Sequence, residues 1–377
     1  MSENFQLDKN GMIMDNDPIY EKLDEWHENN EYDKILETIR AVPHGMWSNK
    51  LWFRLISALN NKRVFNEARE QLEQIYERCE TPEEWGKYHY MLGYIYDIEN
   101  LEIKALECYR NAMKADPKRD LSEDCELCEQ YIDNGLENIR TVVEKIVNDM
   151  TERTSKTSDE DKIKLNDSEF TMMLSFLPAI RRIPQLDKCI GLDSLFKKYT
   201  GEEKEIVKDF LWNSYEIKDI ESLKDSFRYE FNIDSRYKDI KAYMQGKAKF
   251  DVDKELTSEG KMAFNACKMF AETISDKIPE SGFLAWDISE RIGLLRLAYS
   301  CDLLTNSDYV SGVETFTDEA KKYFSSWKEY LISLLLGAGF YIFSISEFSF
   351  KEAFEFMCNM ALIVLKGDAP DCKWNED

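Results

Sequence analysis

Histidine is scarce in this sequence, which contains only His27, His44 and His89. Because no histidine follows residue 89, serine–histidine and cysteine–histidine catalysis are excluded from most of the chain. The sequence also lacks a glycine-rich phosphate loop, an HExxH pair and an EF-hand loop. We therefore predict no catalytic residue, no metal site and no cofactor.

Basic side chains are outnumbered, with 49 lysines and arginines against 73 acidic residues and a net charge of −24. Such a surface repels phosphate backbones and anionic lipid, so nucleic acid is not an expected partner. The same surface attracts a basic protein or peptide. With 43% hydrophobic and 13% aromatic residues, the chain is expected to be globular.

The sequence has a single CxxC motif, Cys125-Glu-Leu-Cys128, and a zinc site would need a second pair or nearby histidines. Leu121, Ile132 and Ile139 follow the same helical spacing, so both thiols are predicted to lie on the buried stripe of one helix.

The amino terminus has no basic segment followed by an apolar run. A reduced, cytoplasmic protein is therefore expected.

One apolar stretch, from Tyr330 to Ser346, carries no charge. Its 17 residues are the minimum for a membrane span, and only Lys328 and Lys351 lie close enough to orient it. A second apolar helix is predicted from Phe350 to Lys366. Two such helices in a highly charged chain predict the centre of a helical domain and no membrane span.

Small and aromatic residues recur at fixed offsets between Gly86 and Pro117. They are Leu92, Gly93, Tyr96, Ala105, Tyr109, Ala112 and Pro117. Weaker copies run from Trp52 to Ile75 and from Ile19 to Pro43, and a helix from Leu121 to Met150 would cap the stack. These offsets resemble the tetratricopeptide family, which implies a curved stack of helical hairpins.

The resemblance implies that the first helix of each repeat lines a concave side that holds a peptide or a partner's tail. Carried over residue by residue, the lining is Lys50, Phe53, Ser57, Lys87, Tyr90 and Tyr94. In chaperone-binding members of the family, lysines and asparagines grip a terminal carboxylate. Here Phe53 and Tyr90 stand where such a lysine would be needed. The alternative is that the repeats only scaffold the rest of the chain.

The polar segment around residues 151–168 is the predicted linker between a repeat domain, 1–150, and a second domain, 169–377. Helical periodicity continues beyond it, without the alternation typical of strands. The predicted helices are Glu202–Tyr215, Ile220–Phe231, Lys254–Lys277, Leu284–Cys301 and Val313–Phe324. The whole chain is predicted to be all-α, with a compact helical domain after the linker.

Several residues of the second domain form a recognisable set. They are Ala285-Trp286-Asp287, Arg296, Tyr299, the block Phe324 to Trp327, and Gly337. This set resembles the bacterial family catalogued as domain of unknown function 1266, and the likeness extends from Ile190 to Ser349. That family has no established activity, so the resemblance implies a domain and no function.

The polar residues near this set form a candidate site in the second domain. They are Trp286, Asp287, Arg291, Arg296, Ser326 and Trp327. Asp287 precedes Arg291 by four residues, so an ion pair along one buried helix is the structural alternative to a ligand or catalytic site.

Three function classes follow from the sequence. The first is a non-catalytic interaction protein whose repeats grip a protein or peptide and whose second domain completes the contact. One specific version is an immunity protein that covers a basic bacterial toxin with its acidic surface. The second is an enzyme of unrecognised type, with a site around Asp287, Arg296 and Trp327. The third is a membrane-associated assembly factor.

Overall fold

The computed structural model describes residues 5–154, 164–186, 188–347, 354, 356–357 and 373–374. Within these residues the fold is all-α, as predicted, and the β-structure is limited to one short two-stranded hairpin and one isolated bridge. The chain divides into two compact units, Met1–Asn134 and Gly135–Asp377. The division falls inside a long helix, whereas the sequence predicts a linker at residues 151–168, part of which lies outside the described residues.

The first unit consists of successive helices, of which the first six pack against their neighbours along the chain. They are α1 (Ile19–Glu28), α2 (Tyr32–Ala41), α3 (Asn49–Asn61), α4 (Phe65–Tyr76), α5 (Pro82–Ile98), α6 (Glu102–Ala115) and the start of α7 (Ser122–Thr154), with a 3₁₀ turn at His44–Met46. Ser48 caps α3 by accepting a hydrogen bond from the Leu51 N–H. Thr81 and Glu84 form a reciprocal capping box at the start of α5. These local signals fix where α3 and α5 begin.

The second unit is built around one central helix. Its helices are α8 (Asp167–Leu174), α9 (Phe176–Ile180), α10 (Gly201–Tyr215), α11 (Ile220–Tyr229), α12 (Ile233–Met244), α13 (Val252–Glu255), α14 (Ser258–Thr273), α15 (Leu284–Ser300), α16 (Asn306–Tyr323) and α17 (Trp327–Ser346). Between α9 and α10, Arg182–Ile183 pairs antiparallel with Lys188–Cys189. The predicted helix Lys254–Lys277 is divided into α13 and α14, because Thr257 caps a new helix start.

Helix α15 contacts α8 to α12, α16 and α17, and nearly all of its residues are buried. Because the helix is covered on almost every side, the polar side chains that it carries are buried with its apolar ones and need partners inside the protein. Its contact with α17 is close: a Cβ atom on Gly337 would lie 2.6 Å from Cβ of Trp286. Glycine at this position therefore lets the two helix backbones approach.

The uncharged stretch Tyr330–Ser346 forms all of α17 except its first three residues. By length and composition α17 could cross a membrane, and it is the one such helix among the described residues. Its apolar side chains pack against α12, α14 and α15, and 61% of its most apolar window is buried inside the protein. The core helix of a soluble domain passes the same test, so the absence of a span stays a prediction. Most of the second predicted apolar helix, Phe350–Lys366, lies outside the described residues.

Candidate functional site

Asp287, on α15, caps the amino terminus of α12. Its carboxylate is 1% exposed and accepts the backbone N–H groups of Ile233, at 2.8 Å, and of Asp234, at 3.0 Å. Asp234 in turn accepts the N–H of Phe283, at 3.0 Å, just before α15 begins. Each of the two helices thus supplies a carboxylate to the other's positive end. Burial raises the pKa of Asp287 to about 7, although the two N–H donors and the Arg291 charge act in the opposite direction.

Arg291 lies one turn further along α15 and binds carbonyl groups at the end of α11. Its Nε and Nη2 atoms donate to the Phe231 carbonyl at 3.1 and 2.8 Å, and Nη2 also reaches the Phe227 carbonyl at 3.3 Å. The ion pair expected between Asp287 and Arg291 is therefore replaced by bonds from each side chain to nearby backbone. The backbone groups at these helix ends need partners, and the two side chains provide them.

Arg296 is a buried cation, 2% exposed, on a different side of α15. It donates to the Ser175 hydroxyl at 3.2 Å and to the carbonyls of Gly191 and Ser194 at 2.6 and 3.2 Å. Among the described residues, no carboxylate pairs with it and its Nε has no acceptor. Burial lowers the pKa of Arg296. Its contacts hold the loop after the β-hairpin against α15.

The remaining residues of the predicted site each have a different set of neighbours. They are Trp286, Ser326 and Trp327. The Trp286 ring packs against Tyr341, with centroids 5.7 Å apart. Ser326 caps α17 by accepting the Glu329 N–H at 3.3 Å. Trp327 belongs to an aromatic cluster with Phe170, Phe324, Tyr330 and Trp374. Four of the six residues thus lie on different sides of α15 and two lie at the start of α17, and their hydrogen bonds and ring contacts do not converge on one site.

An ion pair that the sequence did not reveal, between buried Glu290 and partly exposed Arg181, lies on another side of α15. Glu290, 1% exposed, is held by both terminal nitrogens of Arg181, at 2.7 and 3.0 Å, and Arg181 also donates to the Tyr215 hydroxyl at 3.0 Å. The Glu290 charge raises the pKa of Arg181. These groups line a small cavity with Phe210 and Gly293. Because one guanidinium engages both Glu290 oxygens, neither is available as a general base in this arrangement.

In the first unit, Lys50, Phe53 and Ser57 of the predicted lining lie on α3. The Lys50 Nζ atom donates to the Asp15 carbonyl at 2.6 Å and lies 4.1 Å from the centroid of the Tyr20 ring. Ser57 is half-buried. Phe53 is only 5% exposed and belongs to the unit's apolar core, so its ring does not offer a surface to a partner.

The corresponding residues on α5 are Lys87, Tyr90 and Tyr94, all partly exposed. Lys87 pairs with Glu83 at 2.7 Å. The Tyr90 ring centroid lies 6.2 Å from that of Tyr109 and 5.2 Å from the guanidinium carbon of Arg119. These positions lie 37 residues after their α3 counterparts, and α3 contacts α5. The structure therefore places the two sets on neighbouring helices.

Residues 210–367 match the model of a family described as protein of unknown function (DUF1266). This match confirms the resemblance expected for the second domain and includes α11 to α17, whereas Arg181 lies outside it. No match was found among curated proteins or among solved structures. The chain is thus an all-α protein with a segment that matches the DUF1266 family model, and the family description carries no activity.

Proposed function

We propose that this protein is a non-catalytic interaction protein whose first unit holds a protein or peptide partner. The proposal includes a tetratricopeptide-like stack, with α1–α2, α3–α4 and α5–α6 as its hairpins. Contacts between the two helices of each pair support this arrangement. A reduced, cytoplasmic setting in a bacterium belongs to the same proposal and is supported by the free cysteines of the described chain.

The exposure of α5 is the observation that carries the proposal. This helix contacts α3, α4 and α6, yet its fully buried residues are only Gly86, Gly93 and Ile95. Tyr90 and Tyr94 remain partly exposed one turn apart. Aromatic side chains that stay accessible on a fixed helix are typical anchors of protein interfaces, because they bury much area at little entropic cost.

A basic partner fits the charge of the chain. The net charge of −24 favours the approach of a cationic surface, and residues 1–150 alone carry 32 acidic and 18 basic side chains. The immunity-protein version, in which the acidic surface covers a basic toxin, is the most specific form of the proposal. The enzyme alternative gains no support from α15, where Asp287, Arg291 and Arg296 bind backbone groups.

Affinity purification of the tagged full chain from its own cells tests the proposal. Replacing Tyr90 and Tyr94 together by alanine should abolish retention of the partner that the unchanged protein retains. Tyr229→Ala is the matched control, since that tyrosine is 66% exposed in the second unit. Retention should also weaken as salt is raised from about 50 to 500 mM, because screening reduces charge attraction. A partner that remains bound to the double variant would contradict the proposal.

A further inference from the structure

The partly exposed face of α5 continues beyond the two tyrosines to a carboxylate. Tyr90, Tyr94 and Asp97 follow one another at spacings of four and three residues, which places them on one side of the helix. Asp97 is half-buried and accepts a hydrogen bond from the Tyr109 hydroxyl at 3.3 Å. Burial raises the pKa of Asp97, and the nearby Asp124 charge raises it further. Aromatic rings and a carboxylate therefore share this face.

The first turns of α7 present a second face that also carries a carboxylate beside accessible large apolar side chains. Asp124, Leu127 and Tyr131 stand three and four residues apart and are all exposed. Leu127 is 49% exposed and Tyr131 is 54% exposed, which is high for large apolar side chains on one helix face. Asp124 lies close enough to raise the pKa of Tyr90. Arg119, three residues before α7 begins, lies 5.2 Å from the centroid of the Tyr90 ring, so the start of α7 lies near the α5 face.

A third carboxylate, Glu102 at the start of α6, increases the negative charge. Glu102 is 9% exposed, and its Oε2 atom accepts no hydrogen bond from any residue that the structure describes. Burial raises its pKa, and the Asp97 charge adds to this effect. Two cations belong to this region, Lys87 and Arg119, and each pairs with a carboxylate of its own, Glu83 and Asp116 respectively. Among the residues that the structure describes, Asp97, Asp124 and Glu102 form no ion pair, so the region stays negative.

We propose that this face receives a lysine or arginine side chain of the partner. Its charged end would lie between Asp97 and Asp124, and its alkyl chain would lie on Tyr90 and Tyr94. Carboxylates form charge-assisted bonds with such a group, and aromatic faces attract it. Leu127 and Tyr131 would contact apolar residues beside it. The inference rests on the proposed function and specifies the chemistry of the contact. Among the described residues, no three His, Cys, Asp or Glu side chains are arranged to hold a metal ion, so an organic cation suits the cluster better.

Peptide binding to the full chain tests the proposal. The probe is a fluorescein-labelled peptide of 12 residues in which leucine and lysine alternate, and its control replaces every lysine by glutamine. Fluorescence anisotropy should show at least tenfold tighter binding of the lysine peptide. Replacing both Asp97 and Asp124 by asparagine should weaken that binding at least tenfold. The matched control replaces two exposed acidic residues of the second unit, Glu221→Gln with Asp239→Asn, which removes the same charge.

Each outcome bears on the proposal. An equal loss in both double variants would show attraction by overall charge alone and would overturn it. Equal binding of the two peptides, or no binding of the lysine peptide, would overturn it as well. Asp124→Asn alone keeps the test valid if the double variant misfolds, since Asp124 is exposed. A cellular partner lost from the tyrosine variant but kept by the aspartate variant would refute this contact and leave the proposed function intact.

Discussion

Replacing Asp287 by alanine removes the carboxylate that caps α12 inside the second unit. The N–H groups of Ile233 and Asp234 then lose their acceptor. Each buried donor left unsatisfied costs about 1–3 kcal/mol. Removal of a buried charge recovers part of its desolvation cost, so we expect the free energy of unfolding to fall by about 2–4 kcal/mol.

Thermal melting and hydrogen exchange of the full chain measure this effect. The melting temperature of the second unit should fall by about 4–16 °C, at about 2–4 °C per kcal/mol for a unit of this size. Exchange should quicken first in α12, where the freed N–H groups lie. The control is Asp239→Asn, an exposed aspartate on α12 itself, which should leave both readouts unchanged. An Asp287→Ala protein with unaltered melting and exchange would refute the capping role.

The double replacement of Asp287 by leucine and Arg291 by methionine distinguishes an ion pair between the two side chains from hydrogen bonds to the backbone. If the two side chains formed an ion pair with each other, apolar replacements would restore much of the stability. Because they bind N–H and carbonyl groups of the backbone, the double variant should remain at least as unstable as Asp287→Ala. Recovery of the original melting temperature would show that the backbone bonds contribute little.

Three further predictions concern the second unit. The pKa of Asp287 is about 7 in the folded protein against 3.8 unperturbed, so this group stabilises the fold fully below pH 4 and loses that effect as pH rises through 7. The free energy of unfolding, measured by chemical denaturation, should therefore be about 2–3 kcal/mol lower at pH 8 than at pH 5 because of this group. Asp287→Asn should remove that difference. Gly293→Ala should lower the free energy of unfolding, followed by thermal melting, by about 1–3 kcal/mol, because the new Cβ would lie 2.4 Å from the Pro178 side chain. Its control, Gly45→Ala in the first unit, has open space around the new Cβ and should leave the stability unchanged. Arg296→Met should lower the free energy of unfolding by about 1–3 kcal/mol and speed hydrogen exchange in the loop that contains Gly191 and Ser194, whose carbonyls the arginine binds. Unchanged exchange in that loop would contradict this role of Arg296.

Helical periodicity predicted most of the architecture, because it depends on residues close in sequence. The repeat pattern between Gly86 and Pro117 corresponds to α5 and α6, and the predicted helix Leu284–Cys301 corresponds to the buried helix α15. The break between α13 and α14 was missed, since the cap at Thr257 is a single residue within a continuing apolar pattern.

The partners of buried charges were not predictable, because they lie far apart in the chain. Asp287 binds the backbone of Ile233, 54 residues earlier, and Glu290 binds Arg181, 109 residues earlier. A local signal existed for Glu290, which falls on the apolar strip formed by Trp286 and Gly293 and therefore had to be buried with a partner. No pattern within one helix could identify that partner as Arg181.

Hydrogen exchange with the captured partner tests the interaction surface most directly. After the partner binds, exchange should slow in Pro82–Ile98 and in the first turns of α7, because these faces become covered. Exchange in Gly201–Tyr215 of the second unit should stay as it was. If the partner binds and α5 exchanges as fast as before, while protection occurs elsewhere, the α5 face is not the binding surface and the central claim is wrong.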